Sequence, residues 1–179
     1  MESVGSNRTF WIRSGLSAGL KVDQSVSHNG VCLTVEEVRD DTHRVTAVEE
    51  TLRKTTLGAW QAGELVNIER CMALNGRLDG HIVQGHVDST GTCIKRRELA
   101  GSCEFRFQFP KKHSHLVVEK GSISLNGTSL TVFHVGKDRF DVAIIPFTFT
   151  HTSIQTVQPG HRVNLEFDLI GKYVARILK

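Results

Sequence analysis

Apolar and polar residues alternate, or apolar residues run together briefly, in short stretches spread along the chain. The stretches are "GVCLTVEEV" (30–38), "HRVTAVEE" (43–50), "ELVNIER" (64–70), "CEFRFQF" (103–109), "TSLTVFHV" (128–135), "RFDVAII" (139–145) and "RVNLEF" (162–167). Period-two patterning over so few residues predicts strands. Asn-Gly at 29–30 and again at 126–127 predicts tight hairpin turns. Gly63 in "QAGE" and Gly160 in "QPGH" predict a turn before the last strand of each half. Helical candidates are few: "LRKTTLGAW" (52–60), "HSHLVVEKG" (113–121) and "DLIGKYVARILK" (168–179). The last places Ile170, Val174 and Ile177 on one face.

The strand pattern is written twice. Sliding the chain by 97 positions superposes "SVSHNGVCLTVEEV" (25–38) on "SISLNGTSLTVFHV" (122–135), with eight of fourteen residues identical. The same offset carries Thr51 onto Thr148, Thr55 onto Thr152, Gly63 onto Gly160, Val66 onto Val163, Asn67 onto Asn164 and Glu69 onto Glu166 without a gap. This is the signature of a duplicated domain. Short strands at close spacing predict small antiparallel barrels, whose closure removes exposed edges. The expected class is all-β: two tandem homologous six-stranded antiparallel barrels and a C-terminal α-helix. The expected division is 1–79, 80–168 and a helix at 169–179.

One segment has no mate. "GHIVQGHVDSTGTCIKRRE" falls before the "CEFRFQFP" strand of the second copy, and its partner under the offset would begin ahead of residue 1. The first copy is therefore expected to lack its N-terminal strand. A start placed downstream of the true one, a fragment, or a protein built without that strand all fit. An open barrel would carry a free edge and a weaker core.

Composition adds limits rather than a function. The 179 residues are 39% hydrophobic and 23% charged, an ordinary globular mixture. The net charge is only +3 and no basic block exceeds "KRR" at 95–97, so a nucleic-acid partner is unsupported. No apolar run is long enough for a membrane helix, and the start lacks the pattern of a secretion signal. A cytoplasmic protein is expected. Cys32, Cys71, Cys93 and Cys103 are scattered and form no C-x-x-C, which predicts free thiols.

The nine histidines show no zinc spacing, and no metal is expected. His81 and His86, five apart, would face opposite sides of a strand. Neither a G-x-G-x-x-G nor a P-loop is present. Cys32 follows the first Asn-Gly turn and is replaced by Ser129 in the second copy. Core packing accounts for such a cysteine as readily as chemistry does. Ser25 and Ser122 match across the copies and could simply end a loop. His86, in "QGHVD", is either a polar group at a barrel mouth or an acid–base group. "VEET" (48–51) and "IPFT" (145–148) occupy the same place in each copy. Their backbone groups and the Thr51 and Thr148 hydroxyls could bond a flat polar heterocycle, or be strand-end polar groups only. The copies differ at Cys32/Ser129, His28/Leu125 and Glu50/Phe147, as two sites that treat one ligand differently would.

Taken together, "NGVCLTV" (29–35), "ETLRKTTLG" (50–58), "GHIVQGHVD" (80–88), "LNGTSLTV" (125–132), "IIPFTFTHT" (144–152) and "VNLEFD" (163–168) resemble the riboflavin synthase family, in order and over essentially the whole chain. The resemblance implies two similar six-stranded barrels, a C-terminal helix and a homotrimer. It implies that two molecules of 6,7-dimethyl-8-ribityllumazine dismutate to riboflavin and 5-amino-6-ribitylaminouracil, with no cofactor or metal. Each barrel would bind one ring, and the site would lie between the N-barrel of one subunit and the C-barrel of a neighbour. His86, Ser25 and Cys32 correspond to the family's implicated polar residues. The implied ring-binding positions are Cys32, Leu33 and Thr34; Thr46, Ala47, Val48, Glu49, Glu50 and Thr51; Gly85, His86 and Val87; Lys120; Ser129, Leu130 and Thr131; and Ala143, Ile144, Ile145, Pro146, Phe147 and Thr148. The family begins Met-Phe-Thr-Gly on the strand expected to be missing here, so weak activity is an open outcome. Association with a lumazine synthase is also left open. Two other readings compete: a non-catalytic lumazine- or flavin-binding protein of the same fold, and a purely structural module of duplicated barrels.

Overall fold

The computed structural model describes residues 2–178. Both halves are antiparallel and follow one plan, and a short linker precedes the C-terminal helix. The first half contains β1 (Glu2–Val4), β2 (Asn7–Arg13), β3 (Ser25–His28), β4 (Val31–Arg39), β5 (Thr42–Ala47), α1 (Glu49–Lys54) and β6 (Ile68–Arg70). The second contains β7 (Ser89–Leu99), β8 (Ser102–Gln108), β9 (Ser122–Leu125), β10 (Thr128–Phe133), β11 (Arg139–Ile144), α2 (Pro146–His151) and β12 (Arg162–Phe167), followed by α3 (Leu169–Ile177). Strands form where the alternation places every second side chain inward, as in β8, where Cys103, Phe105 and Phe107 are buried.

The second half closes into a barrel in the order β10-β11-β8-β7-β12-β9. The first half repeats these pairings as β1-β2-β5-β4-β3-β6 but leaves β1 and β6 at the edges. The N-terminal strand is thus not wholly absent. A three-residue β1 stands where the second half has the eleven-residue β7, which pairs with both β8 and β12. Among the described residues β1 pairs only with β2 and β6 only with β3.

The cores differ accordingly. The second half packs one apolar cluster rich in phenylalanine: Phe105, Phe107, Phe109, Phe140 and Phe167. In the first half the buried apolar residues fall into two groups, one around Phe10, Val45 and Trp60, the other Leu20, Val26 and Val35. The places of Leu125 and Phe140 are taken there by His28 and His43, both fully buried.

Some helical expectations change. The segment read as a helix over 113–121 forms a 3-10 turn at Lys111–Leu116, then extends through Val117 into a left-handed Lys120 (φ 63°). β-Branched Val117 and Val118 disfavour its continuation. The helix α2 was not expected from "PFTFTH", yet Pro146 at its first turn presets φ and it lies 97 residues after α1. Residues 71–88, where strand spacing was expected for His81 and His86, hold neither helix nor strand.

The repeated Asn-Gly turns hold the halves together. Asn29 (φ 46°) with Gly30 (φ 77°), and Asn126 (φ 46°) with Gly127 (φ 84°), form two-residue hairpin turns of positive φ. Within each half, Asn29 Oδ1 accepts the Asn67 N–H and Asn126 Oδ1 accepts the Asn164 N–H, both at 2.8 Å. Between halves, Asn67 Nδ2 donates to the Asn126 carbonyl and Asn164 Nδ2 to the Asn29 carbonyl, both at 2.9 Å. Asn67 Oδ1 accepts the Ser153 N–H (2.6 Å) and Asn164 Oδ1 the Thr56 N–H (2.8 Å). Every bond has its mate under the 97-residue offset, so the clasp has pseudo-twofold symmetry.

The two turn glycines lie back to back. A Cβ on Gly30 would sit 2.6 Å from the Gly127 nitrogen. Gly30→Ala is therefore expected to cost about 3 kcal/mol or more, combining left-handed strain with overpacking. Gly160, at φ +95° with nothing within 4 Å of its Cβ position, serves as control. Its alanine variant should lose about 1 kcal/mol, from strain alone. Urea unfolding of both variants checks this, and equal losses would show that the halves separate freely at the clasp.

Candidate functional site

The connector 71–88 runs back between the halves and is held by one carboxylate. Glu166, on β12 and only 2% exposed, accepts the Gln84 N–H on Oε1 (2.8 Å) and the Gly85 and His86 N–H groups on Oε2 (2.9 and 3.1 Å). Asp88 Oδ2 accepts the Phe167 N–H (2.9 Å) and pairs with Lys172 of α3 (2.6 Å). On its other side the connector meets the first half. The Gly85 carbonyl accepts the Cys32 N–H (2.8 Å), and Val87 packs against the Phe10–Trp60 core.

Cys32 is half-buried on β4 and faces a cleft of about 630 Å3 between the halves, which Ser27, Ser129 and His81 also line. His86, exposed, follows directly on the Gly85 that holds Cys32. The fold therefore brings His86 and Cys32 into one neighbourhood. Ser25 starts β3 opposite Thr34, outside the residues lining this cleft, and its carbonyl accepts from the Cys71 thiol (3.2 Å). Leu33 and Ala47 point into the core, whereas Thr34, Val48, Glu49 and Glu50 are exposed. Thr46 Oγ1 donates to Glu36 (3.0 Å) and lies 3.0 Å from Thr9 Oγ1. The Thr51 carbonyl accepts from the Thr55 hydroxyl (2.7 Å).

The second half carries a cavity of about 470 Å3, a size suited to a small heterocycle. Lys120, Ser129, Leu130, Thr131, Ala143, Ile144, Ile145 and Thr148, all singled out in the sequence, line it together with Phe133. Two positions singled out with them stand outside this lining. Pro146 opens α2, and the exposed ring of Phe147 stacks on His151 at 4.1 Å between centroids.

Ser129 borders both cavities. Its Oγ lies 2.7 Å from His81 Nδ1 and 3.3 Å from the His81 N–H. Burial holds the imidazole below its ordinary pKa, and Nε2 is buried with no hydrogen-bond partner among the described residues. His81 and Glu166 escaped the sequence reading. Glu166 was visible only as the repeat partner of Glu69, and His81 only as a non-matching metal ligand. The four cysteines are free. Burial pushes the thiols of Cys93 and Cys103 above their ordinary pKa, which leaves them inert core groups.

The model of the lumazine binding domain family matches residues 2–71 and again 84–168. A riboflavin synthase of Mycobacterium bovis is 44% identical over 159 residues, covering 87% of this chain and 79% of its own. That of Bacillus subtilis is 37% identical over 179 residues, covering 99% and 83%. Among solved structures, LumP complexed with riboflavin superposes with a TM-score of 0.86 at 19% identity, covering 93% of this chain and 91% of LumP. LumP complexed with 6,7-dimethyl-8-(1'-D-ribityl)lumazine gives 0.84 at 17% identity, covering 93% and 90%. At such identities these two likenesses speak for the fold.

Proposed function

Since this chain belongs to the lumazine-binding domain family, we propose that it works as its riboflavin synthase relatives are named to do. It converts two molecules of 6,7-dimethyl-8-ribityllumazine into riboflavin and 5-amino-6-ribitylaminouracil, one ring giving a four-carbon unit to the other. The observation that carries this reading is 37–44% identity to riboflavin synthases over 87–99% of the chain.

The duplicated halves suit a reaction between two copies of one molecule. Each half offers a bed for one flat ring, around Cys32–Thr34 and Thr46–Thr51 in the first and around Lys120, Ser129–Thr131 and Ala143–Thr148 in the second. Holding two rings face to face makes their encounter effectively unimolecular, worth about 7–11 kcal/mol of barrier in favourable cases. The acidic C7 methyl of one ring loses a proton to a modest base. His86 takes that role, with Cys32 and Ser25 beside the ring that accepts the four-carbon unit. The division into an N-terminal unit over 1–79, a C-terminal unit over 80–168 and a helix over 169–179 belongs to the same proposal.

The site forms between the first half of one protomer and the second half of a neighbour in a cytoplasmic homotrimer. Support comes from α3, whose Ile170, Tyr173 and Ile177 are 64%, 65% and 80% exposed, an apolar face left mostly uncovered by the described residues. Removing residues 172–179 is expected to give monomers on size exclusion. An unchanged trimer would refute the role of α3.

Incubation of the chain with 6,7-dimethyl-8-ribityllumazine alone, followed by visible absorbance, tests the function. Riboflavin should appear, and His86→Ala should slow it by about 100-fold with folding intact. A change in lumazine fluorescence without riboflavin would make the protein a binder. Undiminished turnover in His86→Ala would remove that residue from the chemistry.

A further inference from the structure

Resting on that reading, we propose that His81 is a positioning residue for the second half: it aims the Ser129 hydroxyl into the 470 Å3 cavity as a hydrogen-bond donor. That half then selects a ring presenting an acceptor there, a carbonyl oxygen or an unprotonated ring nitrogen.

The geometry leaves little choice of direction. The imidazole carries one proton on two nitrogens, and Nε2 is buried without a partner among the described residues. A buried N–H without an acceptor is the rarer and costlier of the two arrangements. The proton therefore sits on Nδ1 and is donated to Ser129 Oγ at 2.7 Å. The His81 backbone N–H reaches the same oxygen at 3.3 Å. With two N–H groups directed at it from the connector side, Oγ has its own proton left to give. Lys120, Thr131 and Thr148 line the 470 Å3 cavity, which Ser129 borders and His81 does not.

The connector is fitted to this contact. A Cβ on Gly80 would come within 2.7 Å of Ser129 Oγ, so the backbone at 80–81 approaches as only glycine allows. The other half lacks the device. Cys32, the counterpart of Ser129, has its N–H bonded to Gly85, but its thiol makes no hydrogen bond among the described residues and is a weak donor in any case. Two beds of one ancestry thus offer a ring different partners, as a reaction that assigns opposite roles to identical molecules requires.

The test is a titration with riboflavin, read by quenching of its fluorescence, on the full chain. One of two binding steps should weaken about tenfold in His81→Ala, the worth of one oriented hydrogen bond. His81→Asn, whose amide nitrogen falls where Nδ1 does, should restore it. Ser129→Ala should weaken the same step, and adding His81→Ala to it should change nothing more. Full affinity in His81→Ala, no rescue by asparagine, or additive losses in the double variant would each overturn the inference. Failure of the unaltered chain to bind riboflavin would instead overturn the function on which the inference rests.

Discussion

Glu166→Ala is expected to lower stability by about 4 kcal/mol and turnover by more than 100-fold. The carboxylate is buried and accepts three consecutive backbone N–H groups, from Gln84, Gly85 and His86. Bonds to a charged acceptor net about 1.5–3 kcal/mol each, and a donor left unpaired in the interior costs about as much again. The losses are not additive, because the connector can move to meet water. That movement is what removes activity. Gly85 would release the Cys32 N–H, and His86 would lose its fixed place beside it. Glu69, the counterpart in the first half, is exposed, and its alanine variant should stay within about 0.5 kcal/mol. Urea midpoints and riboflavin formation for the two variants decide the matter. Similar small changes at both positions would show that the connector holds itself.

Acid should loosen the first half between about pH 6.5 and 4. In the first half, the His28 Nδ1 lies 2.9 Å from the Val26 carbonyl, which can only accept. The proton of neutral His28 is therefore on Nδ1, and its Nε2 accepts from His43 Nε2 at 2.8 Å. His43 Nδ1 is left to accept the Ser17 hydroxyl at 2.8 Å. The chain of three bonds has one direction, and a proton added to His28 would set its Nε2–H against that of His43. Burial first, then the neighbouring His43, lowers the His28 pKa to about 4, and burial lowers that of His43. Above the unfolded pKa of about 6.5 both states are neutral and nothing is lost. As pH falls below it, the unfolded chain takes up protons that the folded chain refuses. The loss from His28 reaches about 3 kcal/mol by pH 4, and His43 acts in the same direction.

Both tryptophans, Trp11 and Trp60, lie in the first half, so their fluorescence reports that half alone. Substituting the second half's own residues, His28→Leu and His43→Phe, with Ser17→Ala to avoid an orphaned hydroxyl, should remove this acid sensitivity. An unchanged pH dependence of the tryptophan transition would place the lability elsewhere.

Much of the fold could be read from the chain because the repeat is gapless. The offset that joins Ser25 to Ser122 also joins β3 to β9, β5 to β11 and α1 to α2. The matched positions were legible for the same reason, since the offset pairs Thr51 of α1 with Thr148 of α2 and Cys32 of β4 with Ser129 of β10. What the pattern could not show were contacts made across the halves. Asn67 and Asn164 looked like ordinary strand residues, and only docking turns their side chains into a clasp. Glu166 and His81 act on groups 80 and 48 positions away. Periodicity carries no information at that range. His43 went unremarked because its mate, Phe140, shares its buried alternation, and a histidine in a core position reads as an ordinary inward residue until its partner is seen.

The clasp also bears on the order in which the chain folds. Pairs inside one half, such as Asn29 with Asn67, are 38 residues apart, whereas Asn164 reaches Asn29 across 135 and Thr56 across 108. Loop-closure entropy and contact order both delay the long pairs. Each half is expected to gather its own strands first and to dock afterwards, through turns that are already shaped. Interactions made after the rate-limiting step slow unfolding without speeding folding. Gly30→Ala should then leave the refolding limb of a chevron plot nearly unmoved and raise the unfolding limb, making the duplicated Asn-Gly turns a brake on leaving the native state.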